Sequence, residues 1–125
     1  MAMIFTSPSV ASQKIYLSIG LRVGAYVHEA TPCGQASNAT LMWYDGRYFS
    51  AGRLPNVAPR PAKGGGWTGS YRNPEDGTRE TVSIVLRGPT RFTWRSRWGR
   101  FAYRFCPNPS LPGMWRGMTP REYVE

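Results

Sequence analysis

The sequence predicts an all-β fold: a small antiparallel barrel of about eight strands with a short C-terminal helical turn, or alternatively an antiparallel sandwich. Three observations carry this. Short runs rich in β-branched and aromatic residues recur between clusters of turn-forming residues, while the spacing of an amphipathic helix is almost missing. Glycine and proline supply 14 and 11 of the 125 residues without a collagen period, and aromatic residues make up 14% of the chain. That combination describes a loop-rich folded domain rather than a disordered one. The length suits one domain with its own core. No change of composition marks a boundary, so 1–125 reads as a single β domain, with 1–12 disordered.

The first candidate strand is KIYLSI at 14–19, followed by GAYVHE at 24–29 and ATLMWY at 39–44. Asp45-Gly46 precedes RYFSAG at 47–52, and this dipeptide readily supplies the two positive-φ positions of a tight type I′ hairpin turn. LPNVAPRPAKGGGW, at 54–67, holds three prolines and three consecutive glycines. It is too irregular for a strand and too long for a tight turn. Residues 54–66 therefore read as a mobile surface loop, with a lid over a site as the sharper alternative. GWTGSYR at 66–72 and ETVSIVL at 80–86 flank the longer turn RNPEDGT, and RFTWR at 91–95 pairs with RFAYRF at 100–105. In the terminal TPREYVE, Thr119 stands at a helix N-cap, Pro120 at the first helical position and Glu122 three residues after the cap, the parts of a capping box.

The chain carries 16 basic and 7 acidic residues, a net charge of +9. Its basic residues are nearly all arginine, the two lysines being Lys14 and Lys63. Arginine presents a planar fork of donors that matches carboxylate and phosphate, so the bias suits an anionic partner; a surface kept soluble by arginine is the plainer alternative. From Thr81 through Arg121 no acid occurs, and neutralisation within the chain has to come chiefly from Glu29, Asp45, Glu75, Asp76 and Glu80.

RFTWRSRWGRFAYRFCP, at 91–107, concentrates the charge. Side chains alternate across a strand, so Phe92 and Trp94 share one face while Arg91, Thr93 and Arg95 share the other. After the loop Ser96-Arg97-Trp98-Gly99 the phase flips, and Phe101, Tyr103 and Phe105 become the apolar set. Pairing Arg95 with Arg100 then sets Trp94 opposite Phe101, Phe92 opposite Tyr103 and Arg91 opposite Arg104. Opposed like charges cost tenths of a kcal/mol to about one when solvated, and an anion bridging them turns that cost into a gain. Arg91, Arg95, Arg97, Trp98, Arg100 and Arg104 are accordingly the candidate binding residues. The partner expected is a polyanion or an acidic protein surface: an acidic glycan, a phosphorylated surface polymer or an acidic protein. Single-stranded nucleic acid on an OB-like barrel is the alternative, with Trp98 as a stacking platform.

Catalytic and metal chemistry find little support. His28 is the single histidine, its neighbour Glu29 faces the other way on a strand, and no Gly-x-Ser-x-Gly elbow is present. No catalytic residue, cofactor or metal is assigned. No run of eighteen apolar residues exists, which excludes a membrane-spanning helix, and the N-terminal stretch lacks the features of a secretory signal. SLPGMWRGM, at 110–118, carries Met114, Trp115 and Met118 after a Pro-Gly turn, a suitable plug for the open end of a barrel.

Cys33 and Cys106 show no metal-ligand spacing and each lies among turn-forming residues, where a disulfide forms with little steric cost; two buried thiols of a cytoplasmic protein are the alternative. Together with Tyr26 and the run SNATLMWYDGRYFS, they make the chain resemble small exported bacterial proteins of unknown function that have a G-x-Y, Cys and YDG opening and a second cysteine near the end. The resemblance implies export and a cysteine bridge, and it implies no activity. The compartment expected is periplasmic or secreted, with the cytoplasm as the alternative.

Overall fold

The computed structural model describes residues 19–52 and 54–117. Within them nine antiparallel strands form one sheet that curls into a barrel-like half-barrel, and the only helical elements are 3-10 turns. The strands are β1 (Gly24–His28), β2 (Leu41–Tyr44), β3 (Phe49–Ala51), β4 (Leu54–Val57), β5 (Arg60–Pro61), β6 (Trp67–Arg72), β7 (Arg79–Leu86), β8 (Arg91–Ser96) and β9 (Gly99–Cys106). Their order across the sheet is β4-β3-β2-β1-β9-β8-β7-β6-β5. Every neighbouring pair joins consecutive strands except β1 with β9. First and last strands thus pair, as in a closed meander, and the opening falls between β4 and β5. Only Ala58 and Pro59 separate those two edges in the chain, which holds Val57 and Arg60 within about 11 Å of each other.

The barrel expectation holds and the sandwich does not, because there is a single curled sheet. Each strand expected from residue 24 onward lies within two residues of its expected bounds. Of KIYLSI only Ile19 is among the described residues, where it is buried in a turn. The expected disorder of 1–12 and the helical turn at Thr119 fall outside the described residues.

Two local expectations need correction. The stretch at 54–66 contains β4 and β5 in place of a strandless loop, and its prolines sit where strands tolerate them: Pro55 and Pro61 lie on the two edge strands, where a missing N–H need not break a ladder. The Asp45-Gly46 turn is not type I′. Asp45 keeps a negative φ, β2 and β3 are joined by the four residues 45–48, and Asp45 Oδ1 accepts from the N–H groups of Arg47 (2.8 Å) and Tyr48 (2.7 Å). An aspartate whose side chain bonds its own turn stabilises this longer loop, which needs positive φ only at Gly46.

Strand alternation fills the concave side with rings and branched aliphatics. Tyr26, Tyr44, Phe49, Val57, Val82, Ile84 and Phe92 are all buried there. Phe49 stands edge-on to both Phe92 (5.1 Å) and Trp94 (5.7 Å), so β3 and β8 meet through the interior. Gly69 matters for closing the gap. A Cβ at that position would lie 2.5 Å from Val57 Cγ1, so its absence lets β4 approach β6 where no ladder joins them.

A smaller cluster lies on the opposite face of β1, β2 and β9: Ala25, Val27, Leu41 and Cys106, covered by Ala36 and Leu111. Cys33 and Cys106 form a disulfide there, with their Cα atoms 5.8 Å apart. The tail after β9 belongs to this outer layer. Leu111 is buried in it, the Trp115 indole N–H donates to the Ala36 carbonyl at 3.3 Å, and Met114 stays 73% exposed. Residues 110–117 therefore cover the outside of the sheet in place of plugging the barrel mouth, and Met118 lies outside the described residues.

Candidate functional site

The hairpin of β8 and β9 has the register its alternation predicts. Arg91 pairs with Arg104, Phe92 with Tyr103, Trp94 with Phe101 and Arg95 with Arg100, and Ser96 and Gly99 still pair beside the Arg97-Trp98 turn. Gly99 takes a φ of 137°, and the Ser96 hydroxyl accepts the Trp98 N–H at 3.1 Å. Phe92, Trp94 and Tyr103 are buried on the concave side, whereas Phe101 emerges at the rim, 38% exposed and stacked on the His28 ring at 5.2 Å.

The candidate arginines separate into two groups once their partners are known. Arg104 Nη1 donates to the carbonyls of Val27 (3.2 Å) and His28 (2.9 Å), and Nη2 to that of Thr31 (2.7 Å). It ties β9 to the turn after β1. Arg91 lies 3.5 Å from the Glu29 carboxylate, which Arg87 engages at 2.6 Å. Arg97 reaches Glu80 at 2.8 Å, and its guanidinium carbon sits 4.4 Å above the Trp98 ring. Trp98 is 63% exposed but has that cation over one face.

Arg95 and Arg100 are different. Both are exposed, they face each other across β8 and β9, and neither has a hydrogen bond or ion pair among the described residues. They line a groove of about 480 Å³ on the outer face, together with Lys63, Gly66, Ser83, Thr93 and Arg87, the last already engaged by Glu29. The Ala62 to Gly66 loop forms its rim: Ala62 N–H bonds the Gly66 carbonyl at 3.1 Å, and Gly64, Gly65 and Gly66 all have positive φ. Among the described residues no acidic side chain lines this groove.

The outer face thus carries two rows of opposed arginines. Arg87 bonds Arg91 through the backbone at 2.9 Å and Arg91 pairs with Arg104, forming one row. Arg95 and Arg100 form the other, four residues along β8 and about 13 Å away. Between the rows run Val85, Thr93 and Ala102. In the first row the Glu29 carboxylate sits between opposed guanidiniums; the second row has no such anion.

Sequence reasoning missed Arg87, Lys63, Ser83 and the hydroxyl of Thr93. The β8–β9 alternation already puts Thr93 beside Arg95, but Ser83 and Lys63 join them only through the β7–β8 register and the fold of the glycine loop.

At the rim, burial lowers the His28 pKa, and His28 Nε2 lies 3.2 Å from the Tyr103 hydroxyl, whose own pKa burial pushes up to about 12. Tyr26 is likewise raised by burial. Glu29 is turned away toward Arg87, and Cys33 is held in the disulfide, so neither is poised beside the imidazole. Among the described residues no three metal-ligating side chains cluster, and no helix is long and apolar enough to cross a membrane.

No family model, curated protein or solved structure matches this chain.

Proposed function

We propose that this protein is a non-enzymatic recognition domain that binds an acidic glycan outside the cytoplasm through the groove of Arg95 and Arg100. The observation that carries the reading is the opposed pair itself, two exposed guanidiniums with no anionic partner among the described residues, facing a groove that adds Lys63. Glu29 supplies the comparison: where a carboxylate reaches an opposed pair, it contacts both guanidiniums. A cavity of about 480 Å³ falls within the range of small-ligand sites and suits one or two sugar units better than a flat protein surface. Single-stranded nucleic acid is less favoured, because such sites interleave cations with free rings. Here Phe92, Trp94 and Tyr103 point into the barrel, and the two exposed rings are each covered on one side, Trp98 by Arg97 and Phe101 by His28. The Cys33–Cys106 bond is compatible with an oxidising compartment, in keeping with a periplasmic or secreted protein.

Replacing Arg95 and Arg100 together by Gln tests the proposal. Retention on a heparin column should fall to a lower elution salt while the thermal midpoint stays the same or rises, since a repulsive pair has been removed. Unchanged retention would count against the groove.

A further inference from the structure

We infer that the groove seats a tetrahedral oxyanion, the sulfate or phosphate ester of the glycan, with the Thr93 hydroxyl as a donor from the floor. This rests on the glycan reading and narrows it. Thr93 is only 5% exposed and lines the groove, yet its Oγ1 has no hydrogen-bond partner. Buried hydroxyls are ordinarily paired, so an unpaired one at a cationic groove points to an acceptor supplied from outside. Its position fits that role. Thr93 is two residues from Arg95 on the same face of β8, and its cross-strand partner Ala102 stands two residues from Arg100 on β9. Ser83 lies directly opposite Arg95 on the other side.

The number and directions of these donors separate a tetrahedral oxyanion from a carboxylate. The carboxylate of Glu29 receives guanidiniums from Arg87 and Arg91, and no hydroxyl joins them. A carboxylate holds its two oxygens in one plane, which suits two guanidinium forks. Besides Arg87, which Glu29 already engages, the open groove brings the guanidiniums of Arg95 and Arg100, the Lys63 ammonium and a hydroxyl set deeper in the sheet. A sulfate or phosphate monoester projects three oxygens in different directions, so one can turn to the floor while the others meet the arginines. Oγ1 is itself buried in the floor, so the anion has to enter as the long, exposed Arg95 and Arg100 side chains shift onto it.

The test compares the wild type with Thr93→Val, an isosteric change that deletes the hydroxyl, and with Thr93→Ser, which keeps it. Binding of sulfate, phosphate and acetate is followed by amide chemical shifts at equal, low ionic strength, and polymer retention is compared on heparin and on polygalacturonate. The wild type should favour sulfate or phosphate over acetate, and heparin over polygalacturonate. T93V should lose about tenfold in affinity for the tetrahedral anion. T93S should keep it, and acetate binding should respond to neither change. Tighter sulfate binding identifies a sulfated glycan and tighter phosphate binding a phosphorylated one, both in support. Unchanged sulfate and phosphate affinity in T93V, or equal binding of acetate, overturns the inference. If the Arg95/Arg100 double variant still loses heparin retention in that case, the glycan reading survives without the ester seat. If that double variant loses nothing, both fail.

Discussion

Arg104 sits in the same arginine-rich hairpin as Arg95 yet does opposite work, and replacing each by Met separates the roles. The Arg104 guanidinium donates to three carbonyls. Of these, the His28 carbonyl keeps a second donor, the Thr31 N–H at 2.9 Å, and Val27 sits within a strand paired on both sides. The Thr31 carbonyl keeps none among the described residues. One charge-assisted bond is therefore lost in full, about 1.5–3 kcal/mol, and the other two in part. Relief of the repulsion between Arg91 and Arg104 returns tenths of a kcal/mol to about one. The net is a loss of about 2 kcal/mol, or roughly 8 °C in the thermal midpoint of a domain this size. Arg95→Met breaks no bond and should shift stability by no more than about 0.5 kcal/mol in either direction. Thermal unfolding followed by circular dichroism, with the disulfide intact in both variants, measures the difference. An Arg104→Met midpoint within about 2 °C of wild type, or an equal drop for Arg95→Met, would refute the assignment of Arg104 as a structural brace.

The disulfide closes a separation of 73 residues, for which the loop-entropy treatment gives up to about 4 kcal/mol. Reduction, or Cys33→Ser with Cys106→Ser, should lower unfolding stability in urea by a large part of that figure, and a loss under about 1 kcal/mol would mean that packing alone holds the outer layer. Burial lowers the His28 pKa below its unfolded value, so the folded state binds fewer protons there. The His28 contribution is complete above about pH 6.5 and is lost as pH falls from there through the folded-state pKa. His28→Gln should flatten the pH dependence of stability just below about pH 6.5, and an unchanged slope would show that the decline arises from other groups.

The register of the last hairpin was legible because two constraints coincide. Side chains alternate with a strict period of two, and both strands had to bury their rings, which left a single pairing. The partners of the outward arginines were not legible, because they depend on contacts distant in sequence. Arg104 meets carbonyls at 27–31 only because β9 pairs with β1, and Arg87 and Glu29 meet only through the sheet order that sets β9 and β8 between β1 and β7. β4 and β5 escaped notice for another reason. Prolines that rule out a central strand are harmless on an edge, and edge position is a property of the whole sheet. Thr93 looked like an ordinary outward residue between two arginines, and its burial reflects neighbours on three strands.

The one ladder that does not join consecutive strands has a consequence for how the chain reaches this architecture. β1 to β4 and β5 to β9 are each built from hairpins that can form locally, and among the described strands the two meanders share a ladder only where β1 meets β9. Cys33 and Cys106 bridge the chain beside that seam. An oxidised chain begins its search with the seam already near closure, whereas a reduced one must first bring together segments some eighty positions apart, the slow kind of contact. The order in which oxidation and strand pairing occur thus governs whether the sheet assembles quickly or spends time as two separate ribbons with bare edges.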